Sequence, residues 1–237
     1  VSRAPLNETS LLPQERRVFG CVLRQPSLLG PTASHVSAAT LRHVATVRQW
    51  PPDGSTAAGV HRDLMLAQVV AKHAASNAVV CARDGQCIGI GCDSTGRADA
   101  VRAAIARAIE WHMRHHALPR ALRFADGVGR QERINARVRY VRGDMTEVEQ
   151  HEWRALLVAL PRATFSPSER NAHAKSLRGV ALASDAFLPS RESIDVAAAG
   201  GVEFVVQTGG SAQDAVVVAA ADEHKMVMAF SGVRTLR

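Results

Sequence analysis

Arg97 follows a loop that carries Gly89, Gly91 and Gly96, at the point where a long helical pattern begins. The first N–H groups of a helix have no partner inside it, so a forked guanidinium beside them suits a phosphate or a carboxylate. Glycine turns of this length are common, and Asp93 sets a negative charge in the same loop. Ser76-Asn77 closes a predicted helix before a strand, the place of a C-terminal cap. Lys72-His73, just upstream, reads as a helix-end or surface pair. His112 lies three and four residues before His115 and His116, so the rings share one helix face. No carboxylate or cysteine completes a ligand set there, and cations near a helix C-terminus suit its dipole, so no metal is expected.

These residues need elements to hold them. His61 to Ala75 reads as an amphipathic helix, with Leu64, Ala67, Val70 and Ala71 on one side. Pro51 to Ser55 reads as a loop. Ala78 to Ala82 and Cys87 to Gly91 are strands joined by Arg83-Asp84-Gly85-Gln86, where Asp-Gly supplies the positive φ of a two-residue hairpin. The helix opened by Arg97 runs to about His115. Residues 117–178 read as a helical insertion, with helices at Gln131–Val141 and Glu147–Leu160 and a third capped by Ser166 with Pro167 at its first position. The last stretch alternates: strand Val180–Ser184, helix Ser193–Ala199, strand Val202–Gln207, helix Ala212–His224, strand Met226–Phe230. Alternation of this kind implies parallel strands with crossover helices, hence an α/β fold. Residues 1–17 are polar and proline-punctuated and read as a flexible N-terminal segment, with one lobe over 18–237.

Composition narrows the classes. The chain has 237 residues, enough to bury a sizeable core. No apolar run approaches the roughly 20 residues of a membrane span, and no signal peptide is seen, so a soluble intracellular protein is expected, cytoplasmic or in an organelle. A chain opening on Val1 in place of Met reads as trimmed, processed or a fragment. Lys and Arg outnumber Asp and Glu 29 to 22, a net charge of +7 that favours anionic partners. The arginines are dispersed, without a basic tail, which favours a phosphorylated metabolite over nucleic acid. Cys21, Cys81, Cys87 and Cys92 form no CxxC and no HxE precedes a PCxxC, so the zinc-deaminase signature is missing. Cys81, Cys87 and Cys92 sit in a strand-rich stretch, where buried thiols are expected, in a reducing compartment.

Three blocks resemble a known family. Ser76-Asn77-Ala78-Val79-Val80-Cys81-Ala82-Arg83-Asp84-Gly85-Gln86-Cys87-Ile88-Gly89-Ile90-Gly91 is similar to the SN dipeptide, apolar strand, KDGQ-type turn and GIGAG turn of AICAR transformylases. Leu182-Ala183-Ser184-Asp185-Ala186-Phe187-Leu188-Pro189-Ser190-Arg191-Glu192 is close to that family's SDAFFPFRD. Gln207-Thr208-Gly209-Gly210-Ser211, Ala221-Asp222-Glu223-His224 and Gly232-Val233-Arg234 resemble its QPGGS, AADEH and G-x-R ending. The segment with Trp111 to His116 and Tyr140-Val141-Arg142-Gly143 looks like an insertion of eukaryotic members. The likeness runs from about Arg17 to Arg237.

The resemblance implies a cytidine-deaminase-like mixed sheet with flanking helices and no zinc, in an intertwined homodimer. It implies transfer of a formyl group from 10-formyltetrahydrofolate, the co-substrate, to the 5-amino group of AICAR monophosphate in purine biosynthesis. Such chemistry needs orientation, proton removal from a weak amine and stabilisation of an oxyanion. By the same resemblance Asn77 is catalytic, as an uncharged donor to the oxyanion or the carboxamide of AICAR. Arg97 and Arg234 contact the nucleotide and Phe187 packs on its ring. Ser190 and Glu192 stand at folate-contacting positions, where the family has Phe and Asp. Serine cannot stack, which removes about 1 kcal/mol of aromatic packing, and Glu reaches one methylene farther. Cys92-Asp93-Ser94-Thr95-Gly96 replaces the family's AGQxS. The family's catalytic Lys-His with its Pro-Gly or Pro-Ala turn is not found, so a further N-terminal lobe is implied as a partner. The other reading is a non-catalytic scaffold subunit derived from a transformylase.

Overall fold

A computed structural model of the chain describes residues 14–25, 42–48, 54–161 and 165–235. Among these, β1 (Gln14–Val18) and β2 (Cys21–Gln25) pair antiparallel across a turn at Phe19 and Gly20, where φ is 49° and 78°. Positive φ at both central residues is the twist that a two-residue hairpin requires. The remainder of the N-terminal segment lies outside the described residues.

Among the described residues the main sheet has six strands, in the order β3-β8-β7-β6-β4-β5. These are β3 (Arg42–His43), β4 (Val79–Arg83), β5 (Gln86–Gly91), β6 (Val180–Ser184), β7 (Val202–Gln207) and β8 (Val227–Phe230). The strands β6, β7 and β8 run parallel, as the alternation implied, while β4 is antiparallel to β6 and to β5, and β3 is antiparallel to β8. The fold is therefore α/β with a mixed sheet.

Both faces of the sheet are covered, which explains the near-continuous apolar strands. On one face α1 (Gly54–His73) buries Val60, Leu64, Ala67 and Ala71 against Val80, Ala82, Ala181, Ala183, Phe204 and Val206. On the other, α2 (Arg97–Met113), α7 (Arg191–Ala199) and α8 (Asp214–Glu223) pack on Val79, Cys81, Leu182, Val205 and Met228. Alternate residues of one strand serve opposite cores, as the period of two demands.

Helix α1 begins earlier than expected. Gly54 and Ser55, read as loop, are helical, and positions 51–53 of that loop lie outside the described residues. The apolar stripe starts only at Val60, so the first turns carry no periodic signal. Asp63, in mid-helix, accepts the backbone N–H groups of Asp84 and Gly85 at 2.7 Å each, fastening the β4–β5 turn to α1. Asp84 and Gly85 have φ of 52° and 77°, as the Asp-Gly pair predicted.

Gly89 and Gly91 bring α2 against β5. A Cβ at Gly89 would overlap the carbonyl oxygen of Ala104, and one at Gly91 that of Ala100. Only glycine lets helix and strand backbones meet so closely.

Segment 117–178 is helical, with α3 (Ala117–Arg120), α4 (Arg130–Arg142), α5 (Glu147–Ala155) and α6 (Pro167–Ala174). Ser166 caps α6 in a capping box with Glu169, with Pro167 opening the helix as read from the sequence. Helix α5 stops at Ala155 and not at Leu160, because Leu157 leaves the helix to bridge Phe124. A separate core of Met113, Leu122, Tyr140, Trp153 and Phe165 holds these helices together. The Trp153 indole N–H donates to the Ala136 carbonyl at 2.8 Å, which satisfies its buried polar atom. No helix among the described residues is long and apolar enough to cross a membrane.

Candidate functional site

Because β6, β7 and β8 are parallel, their carboxyl ends at Ser184, Gln207 and Phe230 share one edge of the sheet. Val79, at the start of β4, pairs with Ser184 and with Gly91, the end of β5, so the 76–78 and 91–97 segments reach the same edge. In open α/β sheets this edge is where ligands bind.

Asn77 and Arg97 meet there. Nη2 of Arg97 donates to Oδ1 of Asn77 at 2.7 Å, and Nη1 donates to Ser184 Oγ at 3.0 Å. The same Nη1 forms an ion pair with Asp185, whose side chain is 0% exposed against 8% for that of Arg97. Ser76 donates its hydroxyl to the second carboxylate oxygen of Asp185. The amide of Asn77 donates to the carbonyls of Ser94 at 2.8 Å and Thr95 at 3.2 Å. Its side chain thus ties the 91–97 loop to β4 and does not cap α1, which corrects the capping alternative. The Ser76–Asn77 peptide is cis. Asp93 is exposed with φ of 54°, its N–H donating to the Ala75 carbonyl at 2.8 Å.

The other half of the edge is built by the C-terminal residues. Ser231 N–H donates to Gln207 O at 2.8 Å, Gly232 N–H to Thr208 O at 3.1 Å and Thr235 N–H to Asp185 O at 2.9 Å. This zipper places the Arg234 guanidinium 5.1 Å from the centre of the Phe187 ring, a cation–π pair. Phe187 is half-buried and Arg234 exposed. A cavity of about 580 Å³ lies alongside, lined by Thr208, Gly209, Gly210, Phe230, Ser231, Gly232 and Arg234. The N–H groups of Gly210 and Ser211 are taken by the Asp214 carboxylate at 2.8 and 3.2 Å. Arg234 therefore supplies the charge of that cavity, and the glycine turn supplies room.

Ser190 and Glu192 take no part in this cavity. Ser190 precedes α7 in extended conformation without a side-chain cap, and Glu192 pairs at the surface with Arg102. Lys72 and His73 end α1, half-buried and exposed respectively. The histidine of α2 and the two just beyond it serve packing and capping. His112 stacks on His173 with ring centres 4.2 Å apart, and Nε2 of His112 lies 3.0 Å from Ser176 Oγ. Nδ1 of His115 lies 2.7 Å from the Trp111 carbonyl, and His116 caps α3 by accepting the Leu118 N–H at 3.2 Å. Burial and the neighbouring His173 lower the His112 pKa. Burial pushes the Cys81 thiol up to about 12. Among the described residues no group of three or more His, Cys, Asp or Glu is arranged to hold a metal ion.

Sequence reasoning missed Asp185, Ser184, Ser76 and Gln207. Buried Gln207 accepts the Leu188 N–H at 2.6 Å, fixing the loop after β6 on β7. Asp185 had a readable signal: a carboxylate directly after a five-residue apolar strand is a buried charge, and a buried charge requires a cation. Arg97 is that cation.

Residues 14–107 match the profile of the AICARFT/IMPCHase bienzyme family. The chain is similar to the bifunctional purine biosynthesis protein PurH of Acidithiobacillus ferrooxidans, 33% identical over 176 residues that cover 74% of this chain and 22% of the relative. It is 31% identical to PurH of Magnetococcus marinus over 178 residues, 73% of this chain and 22% of the relative. With PurH of Xylella fastidiosa strain M12 it shares 30% identity over 203 residues, 86% of this chain and 25% of the relative. The chain thus spans a quarter or less of the length of these curated relatives.

Proposed function

The chain belongs to the AICARFT/IMPCHase bienzyme family, and from that premise we propose that it acts in purine biosynthesis as part of the formyl-transfer site for AICAR monophosphate. The observation that carries this reading is the hydrogen bond between Asn77 and Arg97 on the sheet edge that also holds Phe187 and Arg234. Phe187 offers a ring face to an imidazole, Arg234 an exposed cation to a phosphate, and Arg97 two N–H groups beside the Asn77 amide. A partner lobe, on the same polypeptide or another, supplies the proton-transfer group. The formyl donor, 10-formyltetrahydrofolate, finds little at Ser190 and Glu192, one small and the other paired with Arg102, so no step is assigned to them. A homodimer completes the proposal.

Calorimetric titration of AICAR monophosphate into the full native gene product tests it, alongside a formylation assay. Saturable binding is the expected result. No heat up to millimolar ligand overturns the reading. It favours the scaffold alternative, for which the internal pairing of Arg97 with Asp185 and of Arg102 with Glu192 speaks.

A further inference from the structure

Asp185 touches both halves of the edge. Its carboxylate holds Arg97 with one oxygen and Ser76 with the other, and its backbone carbonyl accepts the Thr235 N–H at 2.9 Å, next to Arg234. The side chain is 0% exposed, so it reaches no ligand itself. Building on the formyl-transfer reading above, we propose that Asp185 is a positioning residue: it orients Arg97 and the Ser76–Asn77 corner toward the nucleotide.

The hydrogen-bond inventory defines what it leaves available. A guanidinium has five N–H groups. In Arg97 two on Nη1 go to Ser184 and Asp185, and one on Nη2 goes to Asn77. Nε–H and the second Nη2–H have no partner among the described residues. The carboxylate at Nη1 compensates the positive charge from behind. Arg97 so held suits a neutral acceptor, such as the carboxamide oxygen of an imidazole carboxamide, better than a phosphate dianion. The exposed Arg234, which among the described residues neighbours an aromatic ring and pairs with no carboxylate, is left for the phosphate. In Asp185→Asn the guanidinium loses the anion it is paired with, and its bond to Asn77 loses that support.

The test is a double-mutant cycle in the full native gene product, read by calorimetry with AICAR monophosphate. Asp185→Asn keeps the volume and removes the charge, and it is expected to weaken binding about tenfold or more, with Asp185→Glu recovering part of the loss. On an Arg97→Ala background, Asp185→Asn is expected to add little, because its effect passes through Arg97. The phosphate-free riboside is expected to lose as much affinity as the monophosphate in Asp185→Asn, since the affected contact is to the base. If wild type and Asp185→Asn bind equally, or if the two substitutions add in full, Asp185 is not a positioning residue while the formyl-transfer reading stands. If the wild type binds no AICAR monophosphate, both fall. Should Asp185→Asn fail to fold, Ser76→Ala takes its place. It removes one arm of the same carboxylate, and unchanged affinity in it overturns the proposal.

Discussion

The guanidinium of Arg97 and the side-chain carbonyl of Asn77 are joined at 2.7 Å across twenty residues of sequence. The hairpin β4–β5 lies between them, so the hydrogen bond closes a loop around a folded unit. Arg97→Ala leaves the Asp185 carboxylate buried without its cation. Loss of one partner of a buried pair costs about 3–5 kcal/mol. Urea denaturation of wild type and variant is expected to show that loss. The same variant is expected to weaken AICAR monophosphate binding by about 1.5–3 kcal/mol, the range for a charged hydrogen bond.

Gly91→Ala is expected to destabilise the protein by about 1–3 kcal/mol or more, since its Cβ meets the Ala100 carbonyl and α2 must shift outward. The clash falls in the first turn of α2, which Arg97 opens. The variant should therefore lose AICAR monophosphate affinity as well, although position 91 makes no contact with any proposed ligand. Denaturation and calorimetry on one sample check both.

Thiol reactivity should rank by burial. Cys21 and Cys92 are exposed, whereas burial raises the thiol of half-buried Cys87, with Asp63 adding to the effect, and drives that of Cys81 to about 12. At pH 8 a disulfide reagent such as DTNB is expected to react rapidly with Cys21 and Cys92, slowly with Cys87, and with Cys81 only after denaturant is added. Thiolate is the reactive species, so the raised thiols of Cys87 and Cys81 lag, while exposure leaves Cys21 and Cys92 open to the reagent. Rapid labelling of Cys81 in the folded protein would contradict the packing of β4.

His112 gives stability a pH dependence. Burial first, and the stacked His173 second, lower its pKa below the ordinary value of 6.5. The unfolded chain takes up the proton more readily than the folded one, so the contribution is intact above that value and declines as pH falls through it. Thermal denaturation between pH 7.5 and 5 is expected to show a falling midpoint. His112→Gln is expected to flatten that slope without moving AICAR monophosphate affinity.

The sheet was legible because its residues obey one requirement at a time. Val180–Ser184 and Val202–Gln207 are mostly apolar runs bounded by turns, and both strands fall where those runs predict. Asp84-Gly85 specified its own turn. The first turns of α1 were not legible, because Gly54 to Gly59 carry no apolar period and the helix is fixed further along, at Leu64 and Ala67. Leu157 was misread because it fits a helical stripe, yet pairs with Phe124 through backbone groups that a side-chain pattern does not report. The motifs pointed to Asn77 and Arg97, which the fold brings together, but not to the carboxylate beside them. The strand before it marks Asp185 as a buried charge, but its partners become identifiable only once β4 and β6 are known to be neighbours, as Val79 and Ser184 are.

The aromatic cluster of segment 117–178 has a consequence for how such a chain tolerates change. Tyr140, Trp153 and Phe165 bury one another on the far end of α2, and Ile109 is packed against both this cluster and the core beneath the sheet. The segment thus behaves as an annex with its own foundation, joined to the main building at Ile109 and at Leu177, which belongs to the core beneath the sheet. Surface residues there are free to diverge between relatives, or to be redesigned, without disturbing the strand ends where Asn77 and Arg97 meet.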